Sequence, residues 1–193
     1  MSPHPTPHPS LPTPSHTIGP FYGHALPFPE GGQVAPAGHP GAINVHGYVY
    51  DGDGAPIPDA LIEFWQAGPD GAFPQVPGSM RRDPSTGGFV GRDGVHFTGF
   101  GRLPTDKDGH YALRTLPPGA PEVPYISVCV FARGLTHHLF TRVYFPENGE
   151  DALLASLTPQ RRGTLVADPE PNGTYRFDIH LQGDEETVFL AFD

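Results

Sequence analysis

The chain has 193 residues, a length that supports one hydrophobic core and is marginal for two. Hydrophobic residues make up 37% of the chain, which favours a packed domain over a disordered one. The net charge of −10 comes with no basic stripe, which argues against a nucleic-acid-binding protein. No apolar run reaches the 18 residues of a membrane span, and a single cysteine, Cys129, excludes an intrachain disulfide. We therefore expect a soluble, cytoplasmic protein without a membrane partner.

Prolines and glycines divide the chain into short segments. The 26 prolines and 25 glycines separate apolar runs instead of replacing them, which is typical of short strands joined by turns and loops. Residues 1–16 hold six prolines and show no periodicity. We predict an extended or disordered N-terminal arm over residues 1–16 and one domain over residues 17–193.

Seven segments have the composition and alternation of β-strands. They are 43–50, 60–66, 110–114, 125–132, 139–145, 175–181 and 187–192. Helix signals are limited to 149–156 and to a turn or short helix over 156–164. The stretch 68–102 shows no periodicity, and a loop of that length is usually functional or binds a partner. The pattern predicts a mostly-β fold, a β-sandwich of about seven or more short strands with long loops and one or two short helices.

Eleven histidines prompt a search for a metal site. A His-x-His pair on a strand would place two imidazoles on one face, but the sequence contains no such pair. His137 and His138 are adjacent and would point to opposite faces of a strand. The sequence also lacks the Gly-x-Ser-x-Gly nucleophile motif and a glycine-rich phosphate loop. Cys129 lies within an apolar run and is predicted to be a small buried core residue.

Two features are candidates for a binding role. Arg133 follows the apolar strand 125–132 directly and precedes a glycine, so it could leave the sheet edge and pair with a carboxylate. The alternative is a surface ion pair with one of the chain's 21 acidic residues. The segment 13–22, TPSHTIGPFY, combines rigid prolines with a glycine and could line a pocket or an interface. Its alternative is a simple extended arm on the domain surface.

Several segments in the same order resemble the protocatechuate 3,4-dioxygenase family of intradiol ring-cleaving enzymes. They are TPSHTIGPFY at 13–22, VHGYVYDGDGAPIPDALIEFWQA at 45–67, GRLPTDKDGHYALRTLPPG at 101–119, YISVCVFARG at 125–134, HLFTRVYFPE at 138–147, PQRRGTL at 159–165 and YRFDIHLQGDEETVFLAFD at 175–193. The resemblance spans nearly the whole chain after residue 12. It implies a β-sandwich and an enzyme built from two homologous subunits, alpha and beta.

The resemblance also implies which subunit this chain is similar to. In the family the beta subunit holds ferric iron, Fe3+, through two tyrosines and a His-x-His pair. The matching positions here carry Phe73, Pro121 or its neighbours, Tyr125 and Ser127. By this resemblance all four iron ligands are replaced, and we expect no metal and no catalytic residue on this chain. The FARG run and the arm are of the alpha type.

An alpha-type role would place part of this chain beside the iron of a homologous beta subunit in an alpha–beta hetero-oligomer. Thr17, Gly19 and Pro20 would then line the substrate pocket, and Arg133 would attract or hold the substrate carboxylate. The implied reaction is O2-dependent cleavage of 3,4-dihydroxybenzoate to 3-carboxy-cis,cis-muconate. The arm and the stretch 68–102 are the expected contacts within the assembly.

Two other interpretations remain at this point. One is a stand-alone β-sandwich module that binds a small aromatic acid or a sugar. The other is a stand-alone iron dioxygenase with unusual ligands. A monodisperse, iron-free monomer with its own ligand favours the first, and stoichiometric ferric iron in the isolated chain favours the second.

Overall fold

The structure is a computed structural model that describes residues 14–19, 22–75, 80–120 and 122–192. The described part of the chain is mostly β. Its strands are β1 (Ile43–Tyr50), β2 (Leu61–Trp65), β3 (Met80–Arg82), β4 (Phe89–Arg92), β5 (Phe100–Pro104), β6 (His110–Thr115), β7 (Tyr125–Phe131), β8 (Leu139–Tyr144), β9 (Asp168–Glu170), β10 (Thr174–Arg176) and β11 (Ile179–His180). Most of the arm predicted over residues 1–16 lies outside the described residues, as do Pro20 and Pro121.

Two sheets pack face to face, which confirms the predicted β-sandwich. The larger sheet has the order β11-β1-β10-β9 with β6 on the other side of β1, and the second has the order β5-β2-β7-β8. Alternate residues of β1 and β7 are buried, so each of these strands gives one face to a shared core. β7 pairs with both β2 and β8 and is therefore an inner strand of its sheet.

The predicted strand 175–181 is interrupted in the middle. Its two ends pair in parallel with β1 as β10 and β11 in one unchanged register, but residues 177 and 178 between them are not part of a strand. The amide of Tyr48 donates to the Asp178 carboxylate at 3.0 Å, in place of a backbone acceptor. Gly47 lies opposite this interruption, and a Cβ at this position would collide with the carbonyl oxygen of Phe177. The close approach of the Phe177 carbonyl to β1 therefore depends on the missing side chain of Gly47.

Short helices occur at three places in the described residues, and the last two lie where the sequence indicated them. They are α1 (Tyr22–Ala25), α2 (Ala152–Ser156) and α3 (Pro159–Gly163), with a 3₁₀ turn at Pro146–Asn148. Asp151 caps α2 by accepting from the Leu154 amide at 2.9 Å. Thr158 caps α3, which begins with a proline. Across the ranges that the structure describes, no helix has the length and apolar character needed to cross a bilayer.

Two of the predicted elements were wrong in detail. The stretch 68–102 is not one loop, because β3 and β4 form a hairpin within it and β5 begins at its end. Strands of three or four residues are too short to show a period in the sequence. Residues 187–192 form no strand and make one isolated bridge, between Leu190 and Phe140. Threonine side chains replace a ladder there, since Thr164 accepts from the Val188 amide and Thr141 donates to the Val188 carbonyl.

Candidate functional site

The outward face of the second sheet forms a cavity of about 540 Å³. β2, β5, β7 and β8 each contribute side chains from the face that points away from the core. The lining includes Trp65, Phe100, Tyr125, Ser127, Phe140 and Arg142. A smaller cavity of about 140 Å³ also contains Trp65, Tyr125 and Ser127 in its wall, so the two adjoin.

Three of the four positions that match the iron ligands meet at these cavities. Phe73 lines the smaller cavity together with Tyr125 and Ser127, and its ring stacks on Trp65 at 5.8 Å between ring centroids. Ala120, next to the undescribed position 121, completes this wall. The structure therefore brings together residues that the sequence places more than 50 positions apart.

The side chains at these positions do not fit ferric iron. Phe73 has no donor atom, and Ser127 offers a neutral hydroxyl that seldom binds iron in proteins. Tyr125 alone cannot form a site. The described ranges also contain no group of three or more His, Cys, Asp or Glu side chains that could hold a metal ion. No step of chemistry is therefore assigned to a metal on this chain.

A cation, Arg142, lies beside these positions. Its guanidinium carbon is 4.0 Å from the centre of the Tyr125 ring, a cation–π contact. Its Nη1 donates to the Tyr144 hydroxyl at 2.9 Å, and Tyr144 in turn donates to Asp151 at 2.7 Å. Burial raises the pKa of Tyr144 to about 12, so the hydroxyl stays protonated at neutral pH. Sequence reasoning missed Arg142 because it is one polar residue within a regular strand.

Cys129 points into the larger cavity and is only half-buried, so its prediction as a core residue was wrong. β7 buries its even-numbered residues, and an odd-numbered residue must face outward. Burial, and secondarily the charge of Glu63, raises the pKa of the Cys129 thiol to about 12. The thiol is therefore uncharged at neutral pH and a poor nucleophile.

Arg133 lies just after β7 and pairs with Asp59. Its Nε is 2.9 Å from both carboxylate oxygens, and its Nη2 is 2.6 Å from Oδ2. The side chain is 67% exposed, so it is reachable from solvent. Hydrogen bonding to Asp59 raises the pKa of Arg133 further above its usual value. The surface ion pair considered from the sequence is thus present, but it engages one edge of the guanidinium only.

The segment 14–19, called the arm from here on, contacts the loop that carries Arg133. The amide of Gly134 donates to the Thr17 hydroxyl at 2.8 Å, which joins residues 117 positions apart. Gly19 is exposed, and no atom lies within 4 Å of where its Cβ would be. A cavity of about 160 Å³ lies between arm and loop, lined in part by Ile18, Tyr22 and Phe131. The structure therefore brings Thr17 and the Arg133 loop together and leaves the Gly19 backbone open to an approaching group.

Replacing Thr17 by valine should loosen the arm from this loop. Valine keeps the shape of threonine but cannot accept the hydrogen bond, which is worth about 0.5–1.5 kcal/mol. Hydrogen exchange at the Gly134 amide should therefore accelerate by about threefold to tenfold. Thr17→Ser keeps the hydroxyl and is the control. Equal exchange in the valine variant and the unchanged chain would show that the contact does not hold the arm.

Comparisons with known proteins decide the family. A family model described as a dioxygenase matches residues 18–129, more than half of the chain. The chain belongs to this dioxygenase family. Within the family it is similar to protocatechuate 3,4-dioxygenase alpha chains. It is 36% identical to that of Burkholderia cepacia, with 92% of this chain and 96% of that protein aligned, and 33% identical to that of Pseudomonas putida, with 93% and 96% aligned.

Two further members of the dioxygenase family are informative. The protocatechuate 3,4-dioxygenase beta chain of Burkholderia cepacia is 28% identical over 75% of this chain and 66% of its own length. This chain is thus more similar to alpha chains than to a beta chain, and the two types are homologous. The dioxygenase domain of a dioxygenase–carbohydrate-binding fusion from Streptomyces sp. SirexAA-E has a TM-score of 0.57 and 26% identity, with 90% of this chain and 99% of that domain aligned. The fold is therefore that of the family.

Proposed function

We propose that this chain is the alpha subunit of a protocatechuate 3,4-dioxygenase, which completes the substrate pocket of an iron-bearing beta subunit. The observation that carries the proposal is the meeting of Phe73, Tyr125 and Ser127 at one cavity, without a set of iron ligands among them. The similarity to alpha chains over more than nine-tenths of the chain supports the same assignment. The proposal also includes a cytoplasmic location, which a single unpaired cysteine suits.

The reaction is assigned to a site shared by the two subunits. Fe3+ bound by the beta subunit would supply the Lewis acid that holds the catechol for cleavage by O2. This chain contributes binding groups and no catalytic residue. Its substrate is 3,4-dihydroxybenzoate and its product is 3-carboxy-cis,cis-muconate.

Arg133 is proposed to hold the substrate carboxylate. Asp59 fixes the guanidinium by its Nε and Nη2 edge, while Nη1 makes no hydrogen bond to the described residues. A fixed cation at the surface of a chain with a net charge of −10 is a local attraction for an anionic substrate. Asp59 thus orients the donor that the carboxylate requires.

The arm is proposed to form the neighbouring wall of the pocket. Thr17 ties the arm to the amide that follows Arg133, so the arm and the cation are held as one unit. Gly19 presents backbone without a side chain, which allows a flat aromatic ring to approach closely. Pro20 is assigned to the same wall from the family resemblance. Together these residues would orient the ring and exclude water from it.

Contacts with the beta subunit are proposed for the arm and for the stretch 68–102. The hairpin of β3 and β4 forms a two-stranded sheet apart from the sandwich. Val90 and Val95 in this stretch are 63% and 73% exposed, and exposed apolar side chains of this kind often mark an interface.

Co-expression with a homologue that carries two tyrosines and a His-x-His pair tests the assignment. We expect the two chains to co-purify and to cleave protocatechuate together, with little or no activity from this chain alone. Co-expression with a homologue whose His-x-His pair is changed to alanine is the control for assembly without iron. A stable monomer that does not associate with the homologue would contradict the proposal.

A further inference from the structure

The larger cavity on the outer face of the second sheet has no role in the proposed catalytic pocket. Its lining is largely aromatic and includes Trp65, Phe100, Phe140 and Phe192. Trp65, Phe140 and Phe192 are 44%, 36% and 71% exposed, respectively. Exposed aromatic surface of this extent favours an occupant with a flat apolar face. The cavity shares no lining residue with the one between the arm and the Arg133 loop.

Arg142 gives the cavity a cation with free donors. Its Nη1 makes the contacts to Tyr144 and to Asp151, the latter at a long 3.4 Å. Its Nε and Nη2 make no hydrogen bond to any residue that the structure describes. Asp151 already accepts at 2.7 Å from Tyr144 and at 2.9 Å from the Leu154 amide. The guanidinium therefore keeps donors and charge available for an anion.

The other polar groups of the cavity either form an ion pair or carry no charge. Glu63 pairs with Arg102, whose Nε lies 2.7 Å from the carboxylate. The Cys129 thiol is uncharged at neutral pH, since its pKa is raised. Ser127 adds a hydroxyl that can donate or accept. Arg142 is thus the main charge that an entering ligand would meet.

We propose that this cavity binds a small aromatic monocarboxylate, without cleaving it, as a second site separate from the proposed catalytic pocket. The ring lies against Trp65 and Phe140, and the carboxylate accepts from Nε and Nη2 of Arg142. Charge complementarity selects this occupant over a neutral apolar segment, because an apolar segment would leave the two donors unpaired. The inference concerns this chain alone and does not depend on the proposed catalytic role.

The probe is 4-hydroxybenzoate, which lacks the second hydroxyl of a catechol. Trp65 is the chain's only tryptophan and lies in the cavity wall, so its fluorescence reports on this site. In the full chain we expect saturable quenching with one equivalent of probe. Phenol, which has no carboxylate, should bind at least about tenfold more weakly, the effect of losing a charge-assisted contact.

Two variants test the site by different means. Arg142→Met should weaken 4-hydroxybenzoate by at least about tenfold and leave phenol unchanged. Ser127→Phe fills the cavity from the position opposite Arg142 while the cation itself is retained, and should abolish binding of both. Arg176→Met is the control for loss of one charge, because Arg176 lies on the other sheet and also has its guanidinium over an aromatic ring, that of Tyr48. Circular dichroism of each variant establishes that it folds, and Ser127→Phe keeps the test valid where the loss of Arg142 prevents folding.

The same titration is made by calorimetry on the co-purified alpha–beta assembly. Binding of two equivalents per pair, reduced to one by Ser127→Phe, supports the proposal. Absence of quenching in the full chain would overturn it, as would equal weakening by Arg142→Met and Arg176→Met. Binding to the free chain that disappears in the assembly would also overturn it, because a segment of the partner would then be the occupant.

Discussion

Replacement of Arg133 by alanine in an assembled alpha–beta enzyme is expected to lower kcat/KM for protocatechuate by about tenfold to a hundredfold. Catechol, which has no carboxylate, should lose far less. The reason is the loss of one charge-assisted contact, worth about 1.5–3 kcal/mol. The effect should appear mainly in KM, because Arg133 holds a group remote from the reacting carbons. Steady-state kinetics with the two substrates at constant ionic strength measures the difference.

The control for this variant is Arg176→Ala. Arg176 contacts Asp178 through the same edge, with distances of 3.1 Å from Nε and 2.8 Å from Nη2, but lies on the other sheet. Its removal changes net charge and stability in a similar way without touching the proposed pocket. Arg133→Lys separates charge from geometry, since lysine keeps the charge but loses the planar fork. Equal losses for both substrates in Arg133→Ala would refute the assigned role.

Replacement of Gly47 by alanine is expected to destabilise the fold by about 1–3 kcal/mol or more. A methyl group at this position would collide with the Phe177 carbonyl, which is backbone and cannot rotate away. The same carbonyl accepts from the buried Tyr111 hydroxyl at 2.5 Å, so a shift of this backbone would also disturb that hydrogen bond. Both effects act on the segment between β10 and β11.

Urea denaturation of the assembled protein measures the free energy of unfolding of the Gly47 variant. Gly94→Ala is the matched control, because no atom lies within 4 Å of a Cβ there and the residue is exposed. We expect the control to change stability by less than about 0.5 kcal/mol. If the Gly47 variant is as stable as the control, the Phe177 carbonyl can move away from residue 47 without loss of stability, and the argument is wrong.

The elements that the sequence predicted well are those with regular alternation. The extent of β1 and β7 follows from one buried face each, and their bounds agree closely with the prediction. The hairpin of β3 and β4 could not be predicted, since its strands of three and four residues carry no period. The segment 187–192 has strand composition, but hydrogen bonds from threonine side chains, which depend on tertiary position, replace the ladder.

The candidate site was predictable only in part. Arg133 and the arm were recognised as separate features, whereas the hydrogen bond between Thr17 and Gly134 depends on the fold. The choice of Asp59 as the partner of Arg133 could not be made among 21 acidic residues. The cavity beside Arg142 was missed because its walls come from four strands that are distant in sequence.

Iron content is the most direct test of the central claim that this chain shapes the pocket but does not hold the metal. The chain is purified alone and together with its iron-bearing homologue, and both samples are analysed for iron and for visible absorption. We predict about one ferric ion per alpha–beta pair, a tyrosinate charge-transfer band in the pair only, and no stoichiometric iron in the chain alone. Stoichiometric ferric iron with that band in the isolated chain would contradict the account.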